Sequence, residues 1–120
     1  MSRQIEVLVI GRPSHFRNSI HLLLASISKI EKTNLADDVE SASKVTGVPV
    51  VVILDTDEGN SRLSETISKI KTTWPLAGLI ILVEEELDYQ VAQTAGADVL
   101  LRKGFPAARF IDAVETLLSR

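Results

Sequence analysis

Asp55 closes the run Val51-Val52-Ile53-Leu54, so its carboxylate stands where an apolar segment gives way to a polar one. Partial desolvation at such a place makes a carboxyl group chemically useful, although a cap or turn aspartate shows the same pattern. Lys103 follows the short apolar run Val99–Leu101, and Arg12 follows Val7–Ile10 and Gly11. If the three runs end at one edge of a sheet, two cations meet one carboxylate there. Such a trio either neutralises an entering anion such as a phosphoryl group or settles into a standing ion-paired cluster that keeps the carboxylate charged.

Other chemistries find less support. The chain has no cysteine, which excludes disulfides, thiolate metal sites and thiol nucleophiles. His15 and His21 are six residues apart, roughly 600° of helical rotation, and so lie on different faces of a helix. His15 reads as an exposed first-turn residue. The acidic run Glu84-Glu85-Glu86, with Asp55 and Asp57, is a candidate cation site, but glutamates at a helix start are more simply explained by the helix dipole. The stretch GRPSHFRNS (11–19) lies where a doubly wound protein wraps a phosphate, yet neither G-x-G-x-x-G nor P-loop spacing occurs. A nucleotide- or flavin-binding enzyme is therefore the weaker alternative, and flavin absorbance would reveal it.

The elements that must position these residues follow from the order of the segments. With 120 residues the chain fits one domain, 1–120, and its 45% hydrophobic and 24% charged content is that of a globular protein. Thirteen basic against sixteen acidic residues leave a net charge of -3, without the basic surface that nucleic-acid binding by this segment needs. The longest apolar runs, 48–54 and 76–83, are far short of the ~20 residues that cross a bilayer, and the first ten residues do not form a signal peptide.

Strand-like runs at 5–10, 31–36, 50–54, 78–83 and 99–101 alternate with amphipathic stretches, the pattern of a parallel α/β sheet. Ser14 caps a first helix carrying Phe16, Ile20, Leu23, Leu24 and Ile27 on one stripe. Asp38 caps a second, which Gly47 ends. Leu63, Ile67, Ile70 and Trp74 mark a third that Pro75 stops, with Trp74 as packing. Leu87 to Ala95 forms a fourth, closed by Gly96, and Pro106 opens a fifth with Phe110, Ile111, Val114, Leu117 and Leu118 inside. Right-handed crossovers close such a chain into a doubly wound sheet that gathers Gly11, Arg12, Asp55, Val83, Glu84 and Lys103 at one edge.

Over essentially its whole length the chain resembles the receiver domain of two-component response regulators. The resemblance rests on VVILD (51–55), GADVLLRKG (96–104), FRNSIHLLL (16–24) and ADDVESA (36–42). It implies a five-stranded flavodoxin-like sheet of order 2-1-3-4-5 with helices on both faces, Asp55 as phosphoacceptor and Lys103 as the family's lysine. Lys103-Gly104, in place of the common Lys-Pro, is similar to receivers that precede helix-turn-helix output domains, which implies a DNA-binding output beyond Arg120. A bacterial, cytoplasmic setting and a sensor histidine kinase as partner belong to the same resemblance.

The departures carry the functional expectation. Gly11 and Arg12 stand where the family has its magnesium-binding acidic pair, Val83 stands at its hydroxyl position, and Leu100 at its reporting aromatic. A guanidinium has no lone pair for a metal, and a methyl group donates no hydrogen bond. The expectation is a pseudo-receiver, without metal or cofactor and not an enzyme, in which Arg12 and Lys103 bracket Asp55 and lock it. It would act through a protein partner or as a homodimer, using the face of the fourth helix, fifth strand and fifth helix, where Tyr89, Gln90, Gln93, Arg102, Arg109 and Asp112 lie. The alternative is a metal-independent phosphoacceptor in which Arg12 and Lys103 neutralise phosphate on Asp55.

Overall fold

Apolar side chains on both sides of a strand require cover on both sides, and the chain supplies it with two layers of helices around a parallel sheet. A computed structural model describes residues 4–56 and 62–120, except the side chain of Val45. Its strands are β1 (Glu6–Ile10), β2 (Lys32–Ala36), β3 (Val51–Asp55), β4 (Gly78–Val83) and β5 (Val99–Arg102). All pairs are parallel, in the order β2-β1-β3-β4-β5. The helices are α1 (His15–Ala25), α2 (Val39–Val45), α3 (Leu63–Thr73), α4 (Glu86–Ala95) and α5 (Ala107–Leu118). The doubly wound fold and its strand order are as the sequence implies.

Successive strand residues point to opposite faces, so each strand feeds two cores. Val7, Val9, Ile53, Ile80 and Leu82 pack with Ile20 and Leu24 of α1 and Phe110, Val114 and Leu117 of α5. Leu8, Ile10, Val52, Leu54 and Ile81 pack with α2, α3 and α4 through Ala42, Ile67, Ile70 and Ala92. Trp74 caps α3 and belongs to this second core.

The helix starts follow local rules. Ser14 accepts from the Arg17 N–H at 3.0 Å and Asp38 from the Ser41 N–H at 2.7 Å, each satisfying an orphan donor of the first turn. Gly96 ends α4 at φ 90°, in the left-handed region glycine enters cheaply. The end of α2 departs from expectation. Its C-cap is Thr46 in extended conformation (φ -104°, ψ 145°), and Gly47 has no positive φ. The Thr46 hydroxyl accepts from Asn34 Nδ2 at 2.7 Å, so a contact with β2 pulls the chain out of the helix before the glycine is reached. Ile27, expected on the α1 stripe, packs beyond the helix end.

Candidate functional site

The parallel register brings the ends of β1, β3, β4 and β5 to one edge. Asp55 pairs with Leu82, and Val83 with Arg102, so the residues that follow meet in space. Gly11 is buried against Asp55: a Cβ built on it would stand 2.8 Å from the Asp55 Cβ. Lys103 arrives from β5, its N–H donating to the Val83 carbonyl at 2.7 Å. Its ammonium lies 2.6 Å from Asp55 Oδ1, with side chains 17% and 4% exposed respectively. Asp55 and Lys103, 48 residues apart in the sequence, thus form a largely buried ion pair.

Two partners of Lys103 were not evident from residue types. The ammonium donates to the Thr56 carbonyl at 2.7 Å and faces the Phe16 ring with 4.8 Å to the centroid. Thr56 is itself buried, its hydroxyl and N–H both donating to the Leu82 carbonyl at 2.8 and 3.1 Å. Its role is carried by a backbone carbonyl, which any residue has. The available signal was its position, immediately after a strand of four apolar residues and Asp55. The other omission is Arg17, 13% exposed, whose Nη1 donates to the Gly11 carbonyl and to Asp37 Oδ1, both at 2.9 Å. It fastens the β1 end to the β2–α2 connection, a contact between segments distant in sequence.

Arg12 is exposed and, with Asp55, lines a cavity of about 140 Å³ bounded by Asp37 and Asp38 on one side and Thr66 and Lys69 on the other. Lys69 donates to Glu40 at 3.0 Å; this bond holds the Glu40 carboxyl below its ordinary range and raises Lys69 above its own. The Ser41 N–H at the helix cap lowers Asp38. The donor set does not suit a divalent cation. Gly11 and Arg12 contribute no side-chain oxygen beside Asp55, and among the described residues no three carboxylate or imidazole groups, those around this cavity included, are placed to hold one metal ion.

Glu85 is the N-cap residue of α4 and Glu86 lies in its first turn, where Arg102 pairs with it at 2.6 Å. That bond lowers Glu86 and raises Arg102, whose guanidinium also lies 4.1 Å from the Tyr89 ring centroid. Glu86 therefore serves the α4–β5 face and not a site with Asp55; Asp57 lies outside the described residues. His15 and His21 are exposed on α1. Val83 is fully buried, and Leu100 packs at the edge of the α2–α3–α4 core. Beside Leu100, a cavity of about 330 Å³ is lined by Tyr89, Arg102, Lys103, Phe105 and Arg109.

No protein-family model matches the chain, and no curated protein matches it. Solved structures do. The chain is similar to a BeF3-activated DrrB receiver domain (19% identity, 98% of this chain and 100% of that one, TM-score 0.80). It is similar to a CheY-like response regulator protein of Mesorhizobium loti (17%, 96% and 99%, TM-score 0.72). It is also similar to a CpaE pilus assembly protein of Caulobacter crescentus CB15 (16%, 95% and 93%, TM-score 0.75). At these identities the likeness shows the fold, that of response regulator receiver domains. No helix among the described residues is long and apolar enough to cross a membrane.

Proposed function

We propose that this chain is a receiver-like signalling module held in one state by its own cations, acting through contacts with a protein partner in the cytoplasm and not as an enzyme. The carrying observation is the 2.6 Å Lys103–Asp55 pair, beside a β1 end that offers glycine and arginine where receivers place a metal-binding acidic pair. Transfer of a phosphoryl group to a carboxylate needs charge on the entering group cancelled, work that a bound metal ordinarily shares. Without it the transfer slows by orders of magnitude, and Asp55 serves as the fixed anion of the cluster. The partner surface is the face of α4, β5 and α5, which presents Gln90, Gln93, Arg109 and Asp112 to solvent.

The second reading, a metal-independent phosphoacceptor, draws on the shared cavity of Arg12 and Asp55. There an Asp55 oxygen attacks phosphorus, the bond from phosphorus to the donor breaks, and the donor departs with the electron pair. Incubation with acetyl phosphate, and separately with beryllofluoride and magnesium, followed by intact-mass and spectral measurement, decides between the two. The locked module shows neither an added phosphoryl group nor a shifted spectrum. Stoichiometric modification of Asp55 overturns it; modification that persists in EDTA establishes the second reading. Sedimentation addresses the surface: a monomer at all concentrations removes self-association.

A further inference from the structure

An ammonium group has three N–H donors, and the surroundings of Lys103 take them in three directions. One side faces Asp55 Oδ1, one the Thr56 carbonyl, and the Phe16 ring covers another. The ring is itself gripped. Phe105 meets it edge-on, with centroids 6.2 Å apart and planes at 75°, and Phe105 in turn stacks on Phe110 at 5.8 Å and 22°. Phe110 is wholly buried in the α1–α5 core. Between Lys103 and Phe105 the chain turns through Gly104 at φ 101°, a conformation proline, locked near -65°, cannot adopt. The Lys-Gly pair is therefore part of the device: it directs the lysine and the ring two residues later toward the same partner, Phe16.

We propose that Phe16 is the positioning residue of the Lys103–Asp55 pair, and that the Phe16–Phe105–Phe110 stack ties the charge state of Asp55 to the packing of α1 against α5. A cation over a ring face is attracted by the π-quadrupole, whereas an aliphatic side chain of similar bulk fills the space without that attraction. The positions through which a receiver would couple to its α4–β5 side hold Val83 and Leu100 here, and neither contributes a hydroxyl or an aromatic ring. The aromatic path to α5 does contain both a charge contact and stacked rings. This inference concerns how Lys103 is held, and stands whether or not Asp55 accepts phosphate.

The full chain carries the test, by NMR of Phe16→Leu, Phe16→Tyr, Asp55→Asn and the double variant Phe16→Leu/Asp55→Asn. A ring over the lysine displaces the Lys103 ε-methylene resonances upfield; Phe16→Leu abolishes that displacement and Phe16→Tyr keeps it. Asp55→Asn shifts amide resonances in α1 and α5, and in the Phe16→Leu background those α5 shifts fall by at least half. Loss of packing alone would alter Phe16→Leu without changing its response to Asp55→Asn. Unchanged lysine resonances in Phe16→Leu, or equal Asp55→Asn responses in both backgrounds, overturn the proposal. Should Phe16→Leu fail to fold, Phe16→Tyr against Phe105→Leu gives the same comparison: coupling survives in the first and is lost in the second, and survival in both overturns it.

Discussion

Gly11 and Arg12 are neighbours, yet the structure gives them opposite tolerance to a carboxylate. Any side chain at position 11 starts with its Cβ 2.8 Å from that of Asp55, closer than real Cβ atoms come, whereas Arg12 is exposed at the rim of the cavity. Arg12→Asp therefore replaces a cation by an oxygen ligand without steric penalty. Isothermal titration should show magnesium binding in Arg12→Asp that the parent lacks, while Gly11→Asp lowers stability by about 1–3 kcal/mol through overpacking. No gain in Arg12→Asp would mean that position 12 does not face the Asp55 carboxylate. At this scale Asp55 was legible as a charge directly after an apolar run, and Lys103 as a charge just past the last strand, because both positions fall at one edge of a parallel sheet. Thr56, Arg17 and Phe16 were not, since a backbone acceptor, a guanidinium clasping a distant loop and a ring lying over an ammonium depend on which segments meet.

Two short pieces of local structure hold these residues. α1 begins at Ser14, whose oxygen caps the helix that carries Phe16 and Arg17, and removal of such a cap costs about 1 kcal/mol. Gly104 turns the chain after β5, and a Cβ there would meet nothing within 4 Å, so the penalty of Gly104→Ala is the backbone's alone, roughly 1–2 kcal/mol for a left-handed L-residue. Urea unfolding should show both losses. Their sites should differ in spectral effect: Ser14→Ala disturbs the Arg17 contacts to Gly11 and Asp37, and Gly104→Ala the Lys103 contacts. A Gly104→Ala variant as stable as the parent would show that the turn does not require its positive φ. The same comparison explains where elements were and were not readable. Ser14 and Asp38 act through a side-chain oxygen on an N–H three residues on and Gly96 through its own backbone, so these helix ends were announced locally, but α2 stops at Val45 because Asn34, on another strand, reaches Thr46.

For the molecule as a whole, the legible order of strands and helices sets exposed pairs such as Glu40–Lys69 and Glu86–Arg102 apart from the Asp55–Lys103 pair buried at the sheet edge. Glu40 and Glu86 are held below their ordinary 4.5 by Lys69 and Arg102, and Asp38 below 3.8 by the Ser41 N–H. A carboxylate with a lowered folded pKa stabilises above its unfolded value, and that contribution is lost as pH falls through the folded one, so these three groups act above about pH 4.5 and fade below it. Lys69 is raised above 10.5 and Arg102 above its own ordinary value, so their contributions are complete below those ordinary values and fade as pH rises past them. All five groups are solvent-exposed, where ~1 M salt shortens the screening length to roughly 3 Å and removes most of the attraction. Urea midpoints of the parent and of Glu40→Gln/Glu86→Gln should therefore differ slightly at pH 7, converge as the pH falls below 4, and converge at pH 7 in ~1 M sodium chloride. A difference that persisted in salt would mean that the two pairs are shielded from solvent, contrary to their exposure. Lys103→Met should behave otherwise: it takes the ammonium away from Asp55, the buried carboxylate among the described residues, and removing one partner of a buried pair costs about 3 kcal/mol, reduced only modestly by salt. A salt-sensitive loss below about 1 kcal/mol would place the pair in solvent and leave Asp55 without the fixed cation on which the locked state depends.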